Sequence, residues 1–134
     1  MGSEFLPLNG NLIDLLAQNE QLYHSYVDAL GLLQDLVAPY SAARSHQTFN
    51  EEYIKKHLDY IFKDTTDIDP SNSISNNIKQ NLATAFEIHR QAEKITSVAS
   101  AHEVQTNVDK FIDDLTQMYG LLRIRRKGRK VVIV

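Results

Sequence analysis

The last fifteen residues of the chain, GLLRIRRKGRKVVIV, constrain its fold and its partners more than any other segment. Six of the fourteen Lys and Arg residues fall in eight consecutive positions here, and no Asp or Glu follows Asp114. A charge run in a disordered tail would lack the apolar residues that flank this cluster. The pattern predicts two short β-strands joined by a turn at Lys127-Gly128, because glycine supplies the positive φ that a two-residue turn requires.

Directly opposed side chains share one face of such a hairpin. Its apolar face would hold Leu122, Ile124, Val131 and Ile133, and its tip would be cationic. Like charges opposed across a hairpin repel each other, so an anion is expected to compensate them. The segment therefore predicts a nucleic-acid partner.

Composition limits the other classes of function. The 134 residues suit one domain, or a small domain with a helical segment, and 43% hydrophobic residues suffice for a core. Without cysteine, the chain forms neither a disulfide nor a Cys-ligated zinc site. No apolar run approaches the roughly 20 residues of a membrane span, so we predict an intracellular protein (cytoplasm, nucleus or nucleoid) without a membrane partner. Residues 1–5 contain Gly-Ser-Glu-Phe, typical of a cloning remnant, and are left out of the fold prediction.

Hydrophobic spacing predicts a mainly α-helical chain. A first helix is expected over 11–37, and a second ends near Lys63 and begins with a capping box, Thr48 to Glu51. A polar loop, 64–73, is the best internal boundary, and a third helix begins near Ser75. Charge divides the chain at the same place. The first 74 residues have four basic and eleven acidic side chains, whereas the remaining residues have ten basic and six acidic ones.

Two interpretations are open for the segment after the third helix. In the first, the third helix continues to Val98, and Ser100 caps a fourth helix with Glu103, which gives a four-helix bundle. In the second, a short helix over 96–101 is followed by a tight turn at 102–104, and a new helix begins under Thr106. In both, the last helix ends at Gly120 and leads into the hairpin.

The order of these segments favours the second interpretation. The chain resembles the winged helix-turn-helix superfamily at Ile95-Thr96-Ser97-Val98-Ala99, Val104, Val108, Phe111-Ile112, Leu115, Gly120-Leu121-Leu122-Arg123 and Gly128-Arg129. The resemblance covers about residues 75–134 and implies a recognition helix followed by a β-hairpin wing. It departs from the family pattern at Glu103, where glycine is common. The predicted fold is thus mainly α, with a helical segment (6–66) before a winged-helix domain (75–134). A four-helix bundle with a C-terminal β-hairpin is the alternative.

The predicted DNA-binding site has ten residues. Phosphates would be contacted by the cations of the wing, which are Arg123, Arg125, Arg126, Lys127, Arg129 and Lys130. The resemblance adds the start of the recognition helix, which would reach base edges or phosphates with Gln105, Thr106, Asn107 and Lys110. The same helix also has three acids, Asp109, Asp113 and Asp114, which a DNA backbone would repel. These acids keep a protein-binding winged helix open as the alternative.

The predicted function is nucleic-acid binding, with double-stranded DNA as the partner, in transcriptional regulation or replication. The alternative is a protein-protein interaction module of a larger assembly. The acidic N-terminal helices would form a homodimer or bind a partner protein, because the apolar stripe over 11–37 is too long for a domain of roughly 60 residues to cover. No phosphate-binding loop, nucleophile setting or metal-ligand spacing occurs, so we predict no enzyme activity, no catalytic residue, no metal and no cofactor.

Overall fold

Five α-helices make up the part of the chain that the structure, a computed structural model, describes. Residues 5–38, 51–63 and 73–133 are described, with side chains through Lys127. The helices are α1 (Gly10–Gln18), α2 (Glu20–Val37), α3 (Glu51–Phe62), α4 (Ser73–Glu93) and α5 (Val98–Ile133). Helix α2 packs against α4 and α5, while α1 packs mainly against α5 and α3 against α2. None of these helices is long and apolar enough to cross a bilayer.

One hydrophobic core joins all five helices. Its fully buried large side chains include Leu16 of α1, Leu33 of α2, Leu58 of α3, Ile78 of α4 and Phe111 of α5. Full burial of a side chain of this size contributes about 1.5–3 kcal/mol. Packing of apolar faces, rather than the intrinsic propensity of each segment, therefore holds the helices in place.

The predicted C-terminal β-hairpin is wrong, and so are the winged-helix fold that ends in it and the alternative bundle with the same hairpin. No strand occurs in the described ranges, and α5 continues through Gly120 to Ile133. The core-facing series of Phe111, Leu115 and Met118 extends to Leu122, which is fully buried. Glycine inside a helix costs about 1 kcal/mol against alanine, and burial of Leu122 offsets that cost.

The segment predicted as one first helix forms two helices that meet at Asn19. The Asn19 side chain accepts a hydrogen bond from the N–H of Leu22 at 3.0 Å and caps α2. The sequence predicts Asn11 as the cap of the first helix, but the cap is Asn9, whose side chain accepts from the N–H of Leu12 at 3.0 Å. Asparagine favours such caps because its side chain replaces the helical partner that a first-turn N–H lacks. Residue Thr48 of the predicted capping box lies outside the described residues.

The α4–α5 connection follows neither predicted interpretation in detail. Helix α4 ends at Glu93, and α5 begins at Val98 and continues without a turn at 102–104. The cap is Ser97, whose hydroxyl accepts the N–H of Ser100 at 3.1 Å. The second interpretation is therefore wrong at its turn. The first correctly predicts a single last helix through this region, but it places the cap three residues too late.

A buried tyrosine between α2 and α4 gives a testable alkaline transition. The Tyr26 hydroxyl is fully buried and donates to Asn77 Oδ1 at 2.8 Å. Burial raises the pKa of Tyr26 well above its ordinary value of about 10. The unfolded chain therefore loses this proton first, and the stability that Tyr26 contributes is intact below pH 10 and decreases as pH rises beyond it.

We expect the wild-type free energy of unfolding to fall by about 1.4 kcal/mol per pH unit above pH 10 because of this tyrosine alone. Tyr26→Phe should remove that part of the slope, as measured by urea unfolding at pH 9, 10 and 11. Tyr53→Phe, at an exposed tyrosine, is the matched control and should keep the wild-type slope. Equal slopes for all three proteins would contradict the assignment.

Candidate interaction site on helix α5

The C-terminal part of α5 presents cations and apolar side chains to solvent. We call residues 121–127 the cationic end of α5. Arg123, Arg125 and Lys127 are exposed, whereas Arg126 is half-buried. Arg129 and Lys130 continue the helix, but their side chains lie outside the described residues. In a helix these cations point in different directions, since successive residues differ by about 100°, and they do not form the tip of a turn.

Two of the four described cations form ion pairs with the N-terminal helices. Arg125 contacts Asp14 of α1, and Arg126 contacts Glu20 of α2. The Arg125–Asp14 pair is exposed on both sides, and exposed ion pairs contribute little stability, with a median of about 0–1 kcal/mol. They nevertheless offset positive charge that the sequence alone leaves uncompensated. Asp14 and Glu20 therefore supply part of the negative charge that the sequence analysis expected from a nucleic-acid partner.

Aromatic rings from two helices line the same end. The guanidinium of Arg126 lies 4.5 Å from the centre of the Tyr23 ring, and that of Arg123 lies 5.6 Å from the Tyr119 ring. Burial is the main cause that raises the pKa of the Tyr23 hydroxyl, with Tyr119 adding to it and Arg123 opposing it. Cation–π contacts at exposed sites contribute about 0.5–1 kcal/mol each. The contact with Tyr23 of α2 holds Arg126 against the bundle, whereas Arg123 and Tyr119 both belong to α5.

The predicted base-reading residues lie in the first half of α5, and three of the four bond within the protein. The Asn107 side chain donates to Gln91 Oε1 at 3.3 Å, and the Thr106 hydroxyl donates to the His102 carbonyl at 3.0 Å. The third residue, Lys110, pairs with Asp114 at 3.1 Å, whereas Gln105 is exposed. These contacts are local or between α4 and α5.

The structure does not bring the two predicted halves of the DNA site together. From Lys110 to Arg123 the helix rises by about 20 Å, since each residue adds about 1.5 Å. A recognition helix and its wing would approach one duplex from adjacent positions. On the continuous helix α5, the residues at 105–110 and the cations at 123–127 lie at different heights along the helix axis. The cationic end is the only part of the predicted site that the structure leaves as a cluster within the described residues.

Two exposed apolar side chains on this end were not predicted as a surface. Leu121 is 54% exposed and Ile124 is 71% exposed, and they are three residues apart, so they lie on neighbouring turns of one face. The hairpin prediction placed Ile124 beside Leu122. In the helix the two are about 200° apart, one buried and one exposed. If the segment is interpreted as a helix, the three-residue spacing of Leu121 and Ile124 indicates that they share one face.

The apolar stripe of the N-terminal helices is covered within the chain. Leu22, Leu30 and Leu33 of α2 are buried in the common core. The reason for expecting a homodimer through these helices therefore disappears, although the oligomeric state itself stays a prediction. Comparison of the whole chain with protein-family models, curated proteins and solved structures found no match in any of the three.

Proposed function

We propose that this chain is a protein-interaction module that docks a partner protein through the cationic end of α5. The observation that supports the proposal is the exposure of Leu121 and Ile124 on one helical face. Apolar side chains of this size, adjacent to each other and surrounded by charge, are typical of a surface that another protein covers. The helical conformation also suits insertion of one face into a groove.

The surroundings of Leu121 and Ile124 define the chemistry of the partner. Arg123, Arg125 and Lys127 are all exposed around the apolar pair. Among the described residues, no carboxylate lies within ion-pair distance of Arg123 or Lys127. A partner with an apolar groove and an acidic rim would bury the two apolar side chains and pair with these cations, which increases the association rate and fixes the orientation.

Photo-crosslinking from position 124 tests the proposal. A chain with p-benzoylphenylalanine in place of Ile124 is irradiated in an extract of its source cells. The protein captured in the adduct is identified and then purified. Calorimetry then measures the affinity of this purified protein for the wild-type chain and for a Leu121→Ser/Ile124→Ser variant. We expect the double variant to bind about thirtyfold more weakly, because each truncated anchor costs roughly 1 kcal/mol or more.

The matched control is Val98, which is 88% exposed on the same helix but lies about 35 Å from Leu121 and about 39 Å from Ile124 along the axis of α5. The substitution Val98→Ser should leave the affinity unchanged, and a photo-crosslinker at position 98 should not capture the same protein. The proposal fails if the captured protein binds the double Ser variant as tightly as the wild type.

Nucleic-acid binding stays a second candidate because Arg123 and Lys127 are exposed cations with no acid after Asp114 in the sequence. Its test is fluorescence anisotropy with random duplex DNA at 50 and 200 mM salt. Contact with phosphates predicts steep weakening, by more than tenfold, over this range. Arg123→Ala/Lys127→Ala should then reduce the slope of log affinity against log salt by about two. The absence of binding at the lower salt concentration would exclude this candidate.

A further inference from the structure

A groove between α3 and α4 contains no residue of α5 and has no part in the function proposed above. Its volume is about 360 Å³, which is within the range of about 300–1,000 Å³ that is typical of small-molecule sites. Leu58 of α3 and Leu82 and Phe86 of α4 line it and are at most 3% exposed, so they form its floor. Ala83 also lines the groove but is exposed. The groove therefore opens to solvent above an apolar part of the core.

Two ion pairs connect α3 to α4 at this groove. Lys79 Nζ lies 3.4 Å from Asp59 Oδ1, and Arg90 Nη2 lies 3.3 Å from Glu51 Oε1. The two acids are separated by about 12 Å along the axis of α3, and Lys55 lies midway between them on the same face. The pairs limit the length of the groove on either side of Lys55. A small molecule therefore fits this space better than a peptide or a helix that continues past both ends.

The positive charge of Lys55 is not balanced within the groove. Across residues 5–38, 51–63 and 73–127, no carboxylate lies within ion-pair distance of its ammonium group. Its Nζ instead lies 5.8 Å from the centre of the Phe86 ring, a weak contact for an exposed side chain. Lys79 and Arg90 already have carboxylate partners. One negative charge on a ligand would thus complete the charge balance, and the flexible side chain of Lys55 can move to meet it.

We propose that the groove between α3 and α4 binds a small apolar molecule that has one carboxylate, with Lys55 as its counterion. The apolar part would cover Leu58, Leu82 and Phe86, and the carboxylate would accept a hydrogen bond from Lys55 Nζ. Small-molecule sites commonly combine an apolar lining with a few polar groups that fix the orientation of the ligand. Lysine suits this position because its alkyl stem packs on apolar surface while its charge stays at the rim.

Titration of the full ¹⁵N-labelled chain with 2-naphthoate tests the proposal. We expect saturable shifts of backbone amide signals in residues 51–63 and 79–90, with a dissociation constant of about 1 mM or lower for a ligand of this size. The uncharged analogue 2-naphthalenemethanol should bind to the same residues about tenfold more weakly, because it lacks the charge-assisted hydrogen bond to Lys55. Shifts centred on the cationic end of α5 would instead indicate nonspecific anion binding and would overturn the proposal.

Three variants separate the charge of Lys55 from the shape of the groove. Lys55→Met keeps an apolar stem, so it should weaken naphthoate binding about tenfold without weakening that of the alcohol. Lys56→Met is the matched control, because Lys56 is exposed on the same helix but does not line the groove, and it should bind both ligands like the wild type. Ala83→Leu fills the groove from an exposed position and should abolish binding of both ligands while the amide spectrum stays that of a folded chain.

The wild-type titration alone decides the first point, since it requires no variant to fold. The absence of saturable shifts along α3 and α4 overturns the proposal. Equal affinity for the acid and the alcohol, or equal effects of Lys55→Met and Lys56→Met, would also overturn it, because the ligand would then not pair with Lys55.

Discussion

Phe111→Ala is expected to lower the free energy of unfolding by about 3–5 kcal/mol, the range for truncation of a buried phenylalanine. Phe111 is fully buried in the middle of α5, and its ring meets the edge of Phe5 at an interplanar angle of 76°. Truncation removes a ring from the common core and leaves a cavity that the surrounding side chains fill only in part. The loss is a large fraction of the roughly 5–15 kcal/mol by which domains are stable.

Urea unfolding followed by circular dichroism measures this loss. Ile124→Ala is the matched control, because it removes an apolar side chain from the same helix at a position that is mostly exposed, and it should change stability by less than about 0.5 kcal/mol. If Phe111→Ala costs no more than Ile124→Ala, then α5 does not pack on the other helices as described.

Helical periodicity alone was sufficient for the inward faces of the helices that pack in the core. Ile78, Leu82 and Phe86 of α4 recur at helical spacing in the sequence, which predicts that they share an inward face, and all three are buried. Their spacing reports burial directly, because only one face of an amphipathic helix meets the core. The same spacing also predicts an inward position for Tyr53 of α3, and this prediction is wrong, since Tyr53 is exposed. Tyrosine tolerates either environment, so its position in a stripe indicates less than that of leucine or isoleucine.

The C-terminal segment could not be predicted from its local pattern because its partners are distant in the sequence. Opposed cations and β-branched residues around a glycine are compatible with a hairpin in isolation. In the fold, Arg125 pairs with Asp14, a residue 111 positions earlier, and Leu122 fills a place in the core. Tertiary contacts of this kind outweigh a propensity difference of about 1 kcal/mol. The cations of the predicted site are therefore present on α5, but they do not have the arrangement of a hairpin tip.

The sequence shows a pair of asparagines on the buried face of α4, but it does not show what their side chains bind. Asn77 and Asn81 are four residues apart within the apolar stripe of Ile74, Ile78 and Leu82, so the sequence places two amides on the buried side of a helix. A buried amide implies a polar partner. The partner is the main chain of Leu6, whose N–H donates to Asn81 Oδ1 at 2.6 Å and whose carbonyl accepts from Asn81 Nδ2 at 3.0 Å and from Asn77 Nδ2 at 3.1 Å. Nothing in the spacing identifies it, because the contact depends on how the N-terminal segment packs against α4.

Asn81→Asp should be the most damaging isosteric change in the chain, with an expected loss of at least about 3 kcal/mol at pH 7. The N–H of Leu6 could still donate to the carboxylate. The other oxygen, however, would replace Nδ2 and face the Leu6 carbonyl and Asn77 Oδ1, two acceptors that it would repel. The side chain is fully buried, so water does not screen this repulsion, and removal of a donor from buried partners adds the cost of leaving them unsatisfied.

Asn76→Asp is the matched control, since Asn76 is exposed in the first turns of the same helix, where a negative charge is neutral or slightly favourable. Urea unfolding of both variants and the wild type at pH 7 and pH 4 separates charge from shape. At pH 4 the deficit of Asn81→Asp should shrink, because the folded state favours the protonated carboxyl, which can again donate one hydrogen bond. A deficit equal to that of Asn76→Asp at both pH values would mean that Asn81 does not face the Leu6 main chain, and the prediction would fail.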